Sequence, residues 1–361
     1  MGKALIAMSG GVDSTVAAHI MKEQGFECVG MTMKLFQNED VGVSREHSCC
    51  SLDDVEDARN VATSMGMPYY VVNFADGFKE KVIDKFIYAY EHGQTPNPCI
   101  NCNRYLKFDK LFARAMELGL DYIVTGHYAI IEYDDSKGRY ILKKAKDENK
   151  DQSYVLYSLT QEQLAHTLFP LGPMTKPEVR AIAEANNFVN AKKQESQDIC
   201  FVQIGTYADF MEEYTGKTYP QGDFVDQDGK VLGTHKGIIR YTIGQRKGLG
   251  IASESPYYVT DVDPVNNKVV LSHGDNLHAR QVIADDINLI SVDHVEDGMK
   301  VSAKLRYRQK EQPATLYQEG DKLKVVFDEP QRAATLGQAV VIYDGDIVVG
   351  GGTICEVIKD V

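Results

Sequence analysis

The chain has 361 residues, 43% hydrophobic and 25% charged, the balance of a globular protein long enough for two or three domains. A formal net charge of −13 excludes indiscriminate nucleic-acid binding, although a local basic patch still acts within a Debye length of ~8 Å. Seven cysteines, an odd number spread along the chain, argue against a disulfide framework; with no apolar run of ~18 residues and no leader-like start, the sequence predicts a cytoplasmic protein outside the membrane.

Residues 3–8 are apolar and run into a glycine turn, which predicts a first strand. A helix is expected over 13–24, with Val16, Ala17, Ile20 and Met21 on one side. A strand over 26–35, a helix over 53–65, a strand over 69–73 and helices over 78–91 and 107–118 follow, then a short strand over 121–125. This alternation predicts an α/β domain with a parallel sheet covered on both faces and ligands beyond the carboxyl ends of its strands. Residues 130–143 read as a hairpin, and 175–187 as a helix with an early proline. The pattern then changes. Residues 206–275 are rich in Gly, Tyr and short strands. From about 280 onward six short alternating segments, among them 300–307, 313–318, 322–327 and 347–355, predict a small β-barrel or sandwich. The expected domains are 1–205, 206–275 and 276–361.

Between the first strand and helix stands Ser9-Gly10-Gly11-Val12-Asp13-Ser14-Thr15. Two glycines let the backbone approach a phosphate, and the helix start offers free N–H groups and a positive dipole end. Ser9, Ser14 and Thr15 add hydroxyls. Asp13 is expected to cap the helix or to sit near a metal that bridges phosphates. This is not a Walker A loop, because no G-K-[ST] follows the glycines. The bland alternative is an ordinary glycine turn with a polar cap; the strand before and the helix after weigh against it.

Thr95-Pro96-Asn97-Pro98-Cys99-Ile100-Asn101-Cys102-Asn103 presents thiols from a proline-stiffened turn. A helix beginning near Cys102 is expected to lower that thiol's pKa. A structural zinc site takes four ligands, and there is no second C-x-x-C. A thioredoxin-like motif fits poorly after several α/β units. The third reading is a reactive thiol with a distant partner, for which Cys200, in Ser196-Gln197-Asp198-Ile199-Cys200-Phe201, is the candidate. Taken alone, Cys200 reads as a small buried apolar residue. Cys28 and Cys355 fall on expected strands and read as core. Cys49 and Cys50, near His47, read as a solvated loop, with metal binding as the alternative.

Six strings together resemble one family, the tRNA-specific 2-thiouridylases of the PP-loop ATPases. They are Ser9 to Ser14, Thr95 to Pro98, Thr125-Gly126-His127-Tyr128, Lys150-Asp151-Gln152-Ser153-Tyr154, the Cys200 string, and Tyr241-Thr242-Ile243-Gly244-Gln245-Arg246-Lys247-Gly248-Leu249-Gly250. They run in family order over nearly the whole chain; the last string and the Cys102/Cys200 positions are the most specific. The resemblance implies a doubly wound parallel sheet of the PP-loop, HUP-like kind, then a small central β-rich domain that contacts tRNA and a C-terminal β-barrel. It implies ATP with Mg²⁺, held by Ala7, Met8, Ser9, Gly10, Gly11, Val12, Asp13, Ser14, Met33 and Gly126. It implies a tRNA wobble uridine near Asn97, Pro98 and Cys99, with His127, Lys150, Asp151, Gln152, Arg306, Tyr307 and Gln338 facing the tRNA. The C2 oxygen is adenylated. A persulfide on Cys200, loaded by a cysteine desulfurase or a sulfur-relay protein, attacks C2. Cys102 then releases the sulfur and leaves a Cys102–Cys200 disulfide. Asp13 and Cys99 complete the implied catalytic set. Some members carry Asp at the Cys99 position, as a candidate general base. Members with Cys there look able to hold a four-iron four-sulfur cluster on three cysteines, here Cys99, Cys102 and Cys200, with one iron open. The sequence does not choose between persulfide and cluster.

Basic residues gather at three places: Arg139, Lys143, Lys144, Lys146 and Lys150; Arg240, Arg246 and Lys247; and Lys300, Lys304, Arg306, Arg308 and Lys310. Phosphate contacts of this kind fix register without reading sequence, and each residue alone reads equally as a solvated charge. Tyr128, Tyr154 and Tyr307 are candidates to stack on a flipped base. Three rivals share parts of this pattern. A small-molecule adenylating enzyme has no use for Cys102 and Cys200. A non-catalytic ATP-binding or iron–sulfur protein forms no AMP. A plain RNA-binding protein is indifferent to ATP.

Overall fold

The computed structural model describes residues 2–36, 52–193, 199–202 and 205–359. His47, Cys49, Cys50 and residues 196–198 of the Cys200 string lie outside the described residues. The chain divides into two compact units. One comprises Met1–Ile83, Pro98–Ile204 and Asp346–Val348; the other comprises Asp84–Asn97, Gly205–Gly345 and Val349–Val361.

The first unit begins β1 (Lys3–Ala7), α1 (Val12–Glu23), β2 (Glu27–Lys34), α2 (Leu52–Ser64) and β3 (Tyr69–Asn73). A short α3 (Ala75–Phe78) leads into a π-helical stretch, Lys79–Ile83, and α4 (Asp84–Glu91) belongs to the second unit. The first unit resumes with α5 (Pro98–Cys102), π-helical Asn103–Leu111 and α6 (Phe112–Glu117). Then come β4 (Tyr122–Val124), the hairpin β5 (Ile130–Asp134) and β6 (Arg139–Lys143), α7 (Gln161–Ala165), β7 (Thr167–Leu168) and α8 (Lys176–Ala185).

Five strands form a parallel sheet in the order β3-β2-β1-β4-β7. β1 lies in the middle. Its Ala4, Leu5 and Ile6 are fully buried, which is why it reads as an unbroken apolar run. Val16, Ala17 and Met21 of α1 join the same core, and Ile20 packs at its margin. From β1 the chain moves outward to β2 and β3 on one side, while β4 and β7 lie on the other. The order therefore reverses between β1 and β4, and that opens a crevice at their carboxyl ends, where doubly wound sheets take ligands.

Pro98 is the first residue of α5, so the helix start expected near Cys102 is corrected. Proline suits this position because the N–H it lacks has no partner in a helix's first turn. The buried Ile100, Cys102, Leu106, Phe108 and Leu111 carry the apolar pattern onward through the π-helical stretch.

The second unit contains α9 (Tyr207–Thr215), a helix in a region expected to be rich in Gly, Tyr and short strands. Thr206 and Asp209 form its capping box, and Gly216 at φ 66° ends it. β8 (Gly222–Val225), β9 (Val231–His235), β10 (Tyr258–Asp263) and β11 (Lys268–Ser272) form a four-stranded sheet ordered β10-β11-β8-β9. The six alternating segments expected at the end are β12 (His278–Leu289), β13 (Met299–Lys304), β14 (Gln312–Glu319), β15 (Lys322–Arg332), β16 (Ala339–Asp344) and β17 (Ile347–Lys359). They run β12-β15-β14-β13-β16-β17, and β17 pairs antiparallel with β12. The result is a closed six-stranded barrel around Val282, Leu316, Val325, Val340 and Ile342, with no unpaired edge within it. Of the two cysteines read as core, Cys28 is buried, whereas Cys355 is half-buried and donates its S–H to the Ile283 carbonyl.

Candidate active site

The glycine loop leaves β1 at the crevice. The residue before it is locked to β2: Met8 N–H donates to the Met31 carbonyl at 2.9 Å, and Thr32 Oγ1 donates to the Met8 carbonyl at 2.6 Å. Gly10 has φ +74°, and a Cβ there would collide with the Asp54 carbonyl, so only glycine fits. Ser14 Oγ donates to the Gly11 carbonyl at 3.0 Å and accepts from Ser9 N–H at 3.2 Å, which folds the loop over the first turn of α1.

Asp13 does not cap the helix. Gly11 occupies the cap position without a side-chain bond. Instead, Asp13 Oδ1 accepts from Lys176 Nζ at 2.6 Å and from the Tyr128 hydroxyl at 2.8 Å. Lys176 is 7% exposed and stands 163 positions from Asp13 in sequence. The fold thus brings from the start of α8 the lysine that the loop lacks, and local sequence carries no sign of it. Tyr128 is buried in this role and Tyr154 is fully buried, so neither is placed to stack on a base. Gly126, just past β4, packs so closely that a Cβ would stand 2.8 Å from the Asp13 carbonyl carbon. Ala7 to Ser14 and Gly126 therefore meet at the crevice, while Met33 lies near the carboxyl end of β2.

The thiols occupy a second region of the same unit. Cys99 is exposed and Cys102 is buried. Burial pushes the Cys102 thiol pKa up; Lys107 pulls it down and Cys99 adds to the rise. The lowered pKa expected from a helix start is thus overturned, because Cys102 closes α5 rather than opening it. The protein packed around the Cys99 sulfur raises its pKa as well, again opposed by Lys107. α5 packs against Lys79–Ile83. Phe201, beside Cys200, meets Phe78 edge-on at 5.8 Å. Both thiol-bearing segments therefore rest on residues 78–83. Cys200 is half-buried, and none of the three cysteines is in a disulfide. Among the described residues no three His, Cys, Asp or Glu side chains are grouped to hold a metal ion. Cys99, Cys102 and Cys200 thus do not stand as a cluster-binding set in this arrangement.

His127 is 7% exposed. Its Nδ1 lies 2.6 Å from Thr125 Oγ1 and its Nε2 3.4 Å from Lys107 Nζ. Burial, and then the Lys107 charge, hold its pKa well below the usual value, so the ring is neutral. Lys107, which sequence reasoning did not single out, joins the thiol helix to the segment leaving β4.

Several residues expected to face RNA hold the fold as well. Asp151 accepts from Ala145 N–H at 3.0 Å and Ser153 Oγ at 2.8 Å, and Gln152 Oε1 accepts from Tyr128 N–H at 2.9 Å. Lys143 pairs with Glu132 and Asp346, and Lys146 with Glu178, which offsets part of the basic hairpin end. In the second unit Gln338 Nε2 donates to the Thr95 carbonyl at 2.7 Å, fixing the chain that leads to Asn97 and Pro98. Arg306 Nη2 donates to the carbonyls of Ala333 at 2.9 Å and Ile243 at 3.1 Å and to Thr335 Oγ1 at 2.9 Å. It thereby ties down the Tyr241–Gly250 string. Tyr307 is 36% exposed and is the open member of the three tyrosines expected to stack.

A parallel sheet with a glycine loop at its switch point, followed by a small β domain and a closed barrel, defines a HUP-type α/β enzyme with two β-rich additions. Comparison with known proteins agrees in series. Residues 2–204 match the family model described as tRNA methyl transferase HUP domain, 208–273 the tRNA methyl transferase PRC-barrel domain, and 279–354 the aminomethyltransferase beta-barrel domain. The chain is 54% identical over 353 residues to the tRNA-specific 2-thiouridylase MnmA of Clostridioides difficile (strain 630), covering 98% of each. It is 52% identical over 354 residues to that of Acetivibrio thermocellus, covering 98% of this chain and 99% of the relative. A solved U34-tRNA thiolase, NcsA from Methanococcus maripaludis with its 4Fe-4S cluster, aligns with 60% of this chain and 65% of its own. Its identity of 18% and TM-score of 0.36 are too low to bear on the chemistry. The chain belongs to the tRNA-specific 2-thiouridylase family, whose members are tRNA-modifying sulfurtransferases. Among the described residues no helix is long and apolar enough to cross a membrane.

Proposed function

We propose that this chain adds sulfur to carbon 2 of the wobble uridine of tRNA in an ATP-dependent reaction in the cytoplasm. One observation carries the reading: the glycine loop at the crevice and the reduced cysteines Cys99, Cys102 and Cys200 belong to one folded unit. ATP lies along Ala7 to Ser14, with Met33 and Gly126 beside it and the N–H groups at the start of α1 facing its phosphates; Mg²⁺ bound to the triphosphate offsets its charge. The uridine C2 oxygen attacks the α-phosphorus and pyrophosphate leaves. The terminal sulfur of a persulfide on Cys200, supplied by a cysteine desulfurase or a sulfur-relay protein, then displaces AMP from C2. The Cys102 thiolate attacks Cys200 Sγ and breaks the sulfur–sulfur bond. The electron pair moves onto the sulfur bound to C2, and a Cys102–Cys200 disulfide remains for a two-electron thiol reductant to reopen.

Asp13, held by Lys176 and Tyr128, keeps the first turn of α1 in place, and Cys99 stands next to the uridine with Asn97 and Pro98. The tRNA lies against His127, Lys150, Asp151, Gln152, Arg306, Tyr307 and Gln338. Residues 206–275 and 276–361 act as its two β-rich docking domains after the catalytic domain 1–205. The family-model descriptions speak of methyl transfer; the full-length relatives at 54% and 52% identity, both named as 2-thiouridylases, favour sulfur.

Mass spectrometry of tRNA nucleosides after incubation with ATP, Mg²⁺ and a persulfide source tests this reading. The wild type is expected to form 2-thiouridine; Cys200→Ser is expected to form none while still binding ATP. Thiolation at the wild-type level by Cys200→Ser refutes the persulfide route. Thiolation that appears only after anaerobic iron reconstitution replaces that route with a cluster-borne sulfide.

A further inference from the structure

A glycine loop holds phosphate when its N–H groups face inward. Its carbonyls must then face outward, where they need donors of their own. The case in point here is the buried Gly10. The peptide joining it to Gly11 has no side chain on either side to fix its orientation, so both faces are accessible to it. In the folded chain the Gly10 carbonyl accepts from Asn190 Nδ2 at 3.0 Å and from Lys193 Nζ at 3.4 Å. The same Asn190 amide donates to Thr15 Oγ1 at 2.8 Å, tying the loop to α1. Asn190 is 2% exposed, and its Oδ1 has no hydrogen-bond partner. Burying an acceptor unpaired is costly, so the side chain is there for its amide donors. Lys193 is anchored from behind by Asp54 and Asp57, each at 2.6 Å, in the first turns of α2.

We infer that Asn190 and Lys193 are positioning residues of the nucleotide loop: a clasp that holds the Gly10 carbonyl outward and so keeps the loop's N–H groups turned toward a polyphosphate. Neither residue belongs to a string that carries the family resemblance. The clasp acts on the phosphates alone. Losing it lets the Gly10–Gly11 peptide turn a carbonyl toward them, while the adenine and ribose contacts stay as they are. This inference rests on the reading of the loop as the ATP site.

The test compares ATP and adenosine binding by calorimetry to the full-length wild type, Asn190→Leu, Lys193→Gln and Lys193→Arg. Asn190→Leu keeps the volume and removes the donors. ATP affinity is expected to fall about tenfold or more in Asn190→Leu and by less in Lys193→Gln, with adenosine affinity within about twofold of wild type and Lys193→Arg restoring ATP binding. If Asn190→Leu does not fold, the Lys193 pair decides by the same comparison. Equal loss of both ligands assigns the residues a purely structural role and overturns the inference; unchanged ATP affinity overturns it as well. A wild-type chain that does not bind ATP removes the ATP-site reading itself, an outcome distinct from variants that fail to discriminate.

Discussion

Lys176→Met replaces an almost buried ammonium with an apolar side chain of similar reach. The ammonium lies 2.6 Å from Asp13 Oδ1, with side-chain exposures of 8% for Lys176 and 32% for Asp13. Removing one member of a fully buried ion pair costs roughly 3–5 kcal/mol, because the orphaned charge stays buried. Here Asp13 reaches water and keeps the Tyr128 hydroxyl at 2.8 Å. The loss therefore falls toward that of a single charged hydrogen bond, about 1.5–3 kcal/mol. Adding Asp13→Asn to Lys176→Met removes the orphaned charge, so the double variant is expected to be more stable than the sum of the single losses allows. Urea denaturation of the four proteins closes a double-mutant cycle, and the coupling is expected to exceed ~1 kcal/mol. Additivity to within ~0.5 kcal/mol means that the two residues do not interact, and it refutes Lys176 as the cation of the loop.

Three further perturbations probe other contacts. Burial keeps the folded-state pKa of His127 below its ordinary 6.5, so the unfolded chain takes up the proton first as pH falls. Stability is then full above that value and declines below it by about 1.4 kcal/mol per pH unit until the folded-state pKa is reached. His127→Gln is expected to flatten this slope in urea midpoints compared at about pH 7.5 and about pH 5.5. Gly126→Ala forces a Cβ to 2.8 Å from the Asp13 carbonyl carbon and 2.9 Å from Ser14 N. It is expected to cost about 1–3 kcal/mol and to weaken ATP binding more than tRNA binding; equal ATP affinity in titrations contradicts the close approach. Arg306→Lys keeps the charge but loses the planar guanidinium whose Nη2 serves two carbonyls and a hydroxyl. A loss of about 1.5–3 kcal/mol in the unfolding of the second unit is expected, and a variant as stable as wild type shows those contacts to be idle.

Elements with a strong local period were legible from the residues. β1 is an unbroken apolar run, the hairpin turns around Gly138, and the barrel strands alternate. Their cause is near in sequence, and so was the reading. α5 escaped because Pro96 and Pro98 look like turn residues, yet Pro98 is the first residue of a helix, where proline is at home. α9 escaped because its capping box, Thr206 with Asp209, sits in a region dominated by Gly and Tyr. The glycine loop was legible, but its partners were not. Lys176, Asn190 and Lys193 reach it over 163 to 183 positions, and ordinary Lys and Asn residues leave no periodic trace of such contacts. Asp13 was expected as a cap because its neighbours are near in sequence; a lysine far along the chain takes it instead.

The distance between the loop and its clasp has a consequence for synthesis. Gly10 leaves the ribosome early, but the amide that steadies its carbonyl is encoded 180 positions later. At ~5–20 residues per second, the interval is roughly 9–36 s. Until then the nascent chain carries its glycine segment without the contacts from Lys176, Asn190 and Lys193 that hold it in the folded chain.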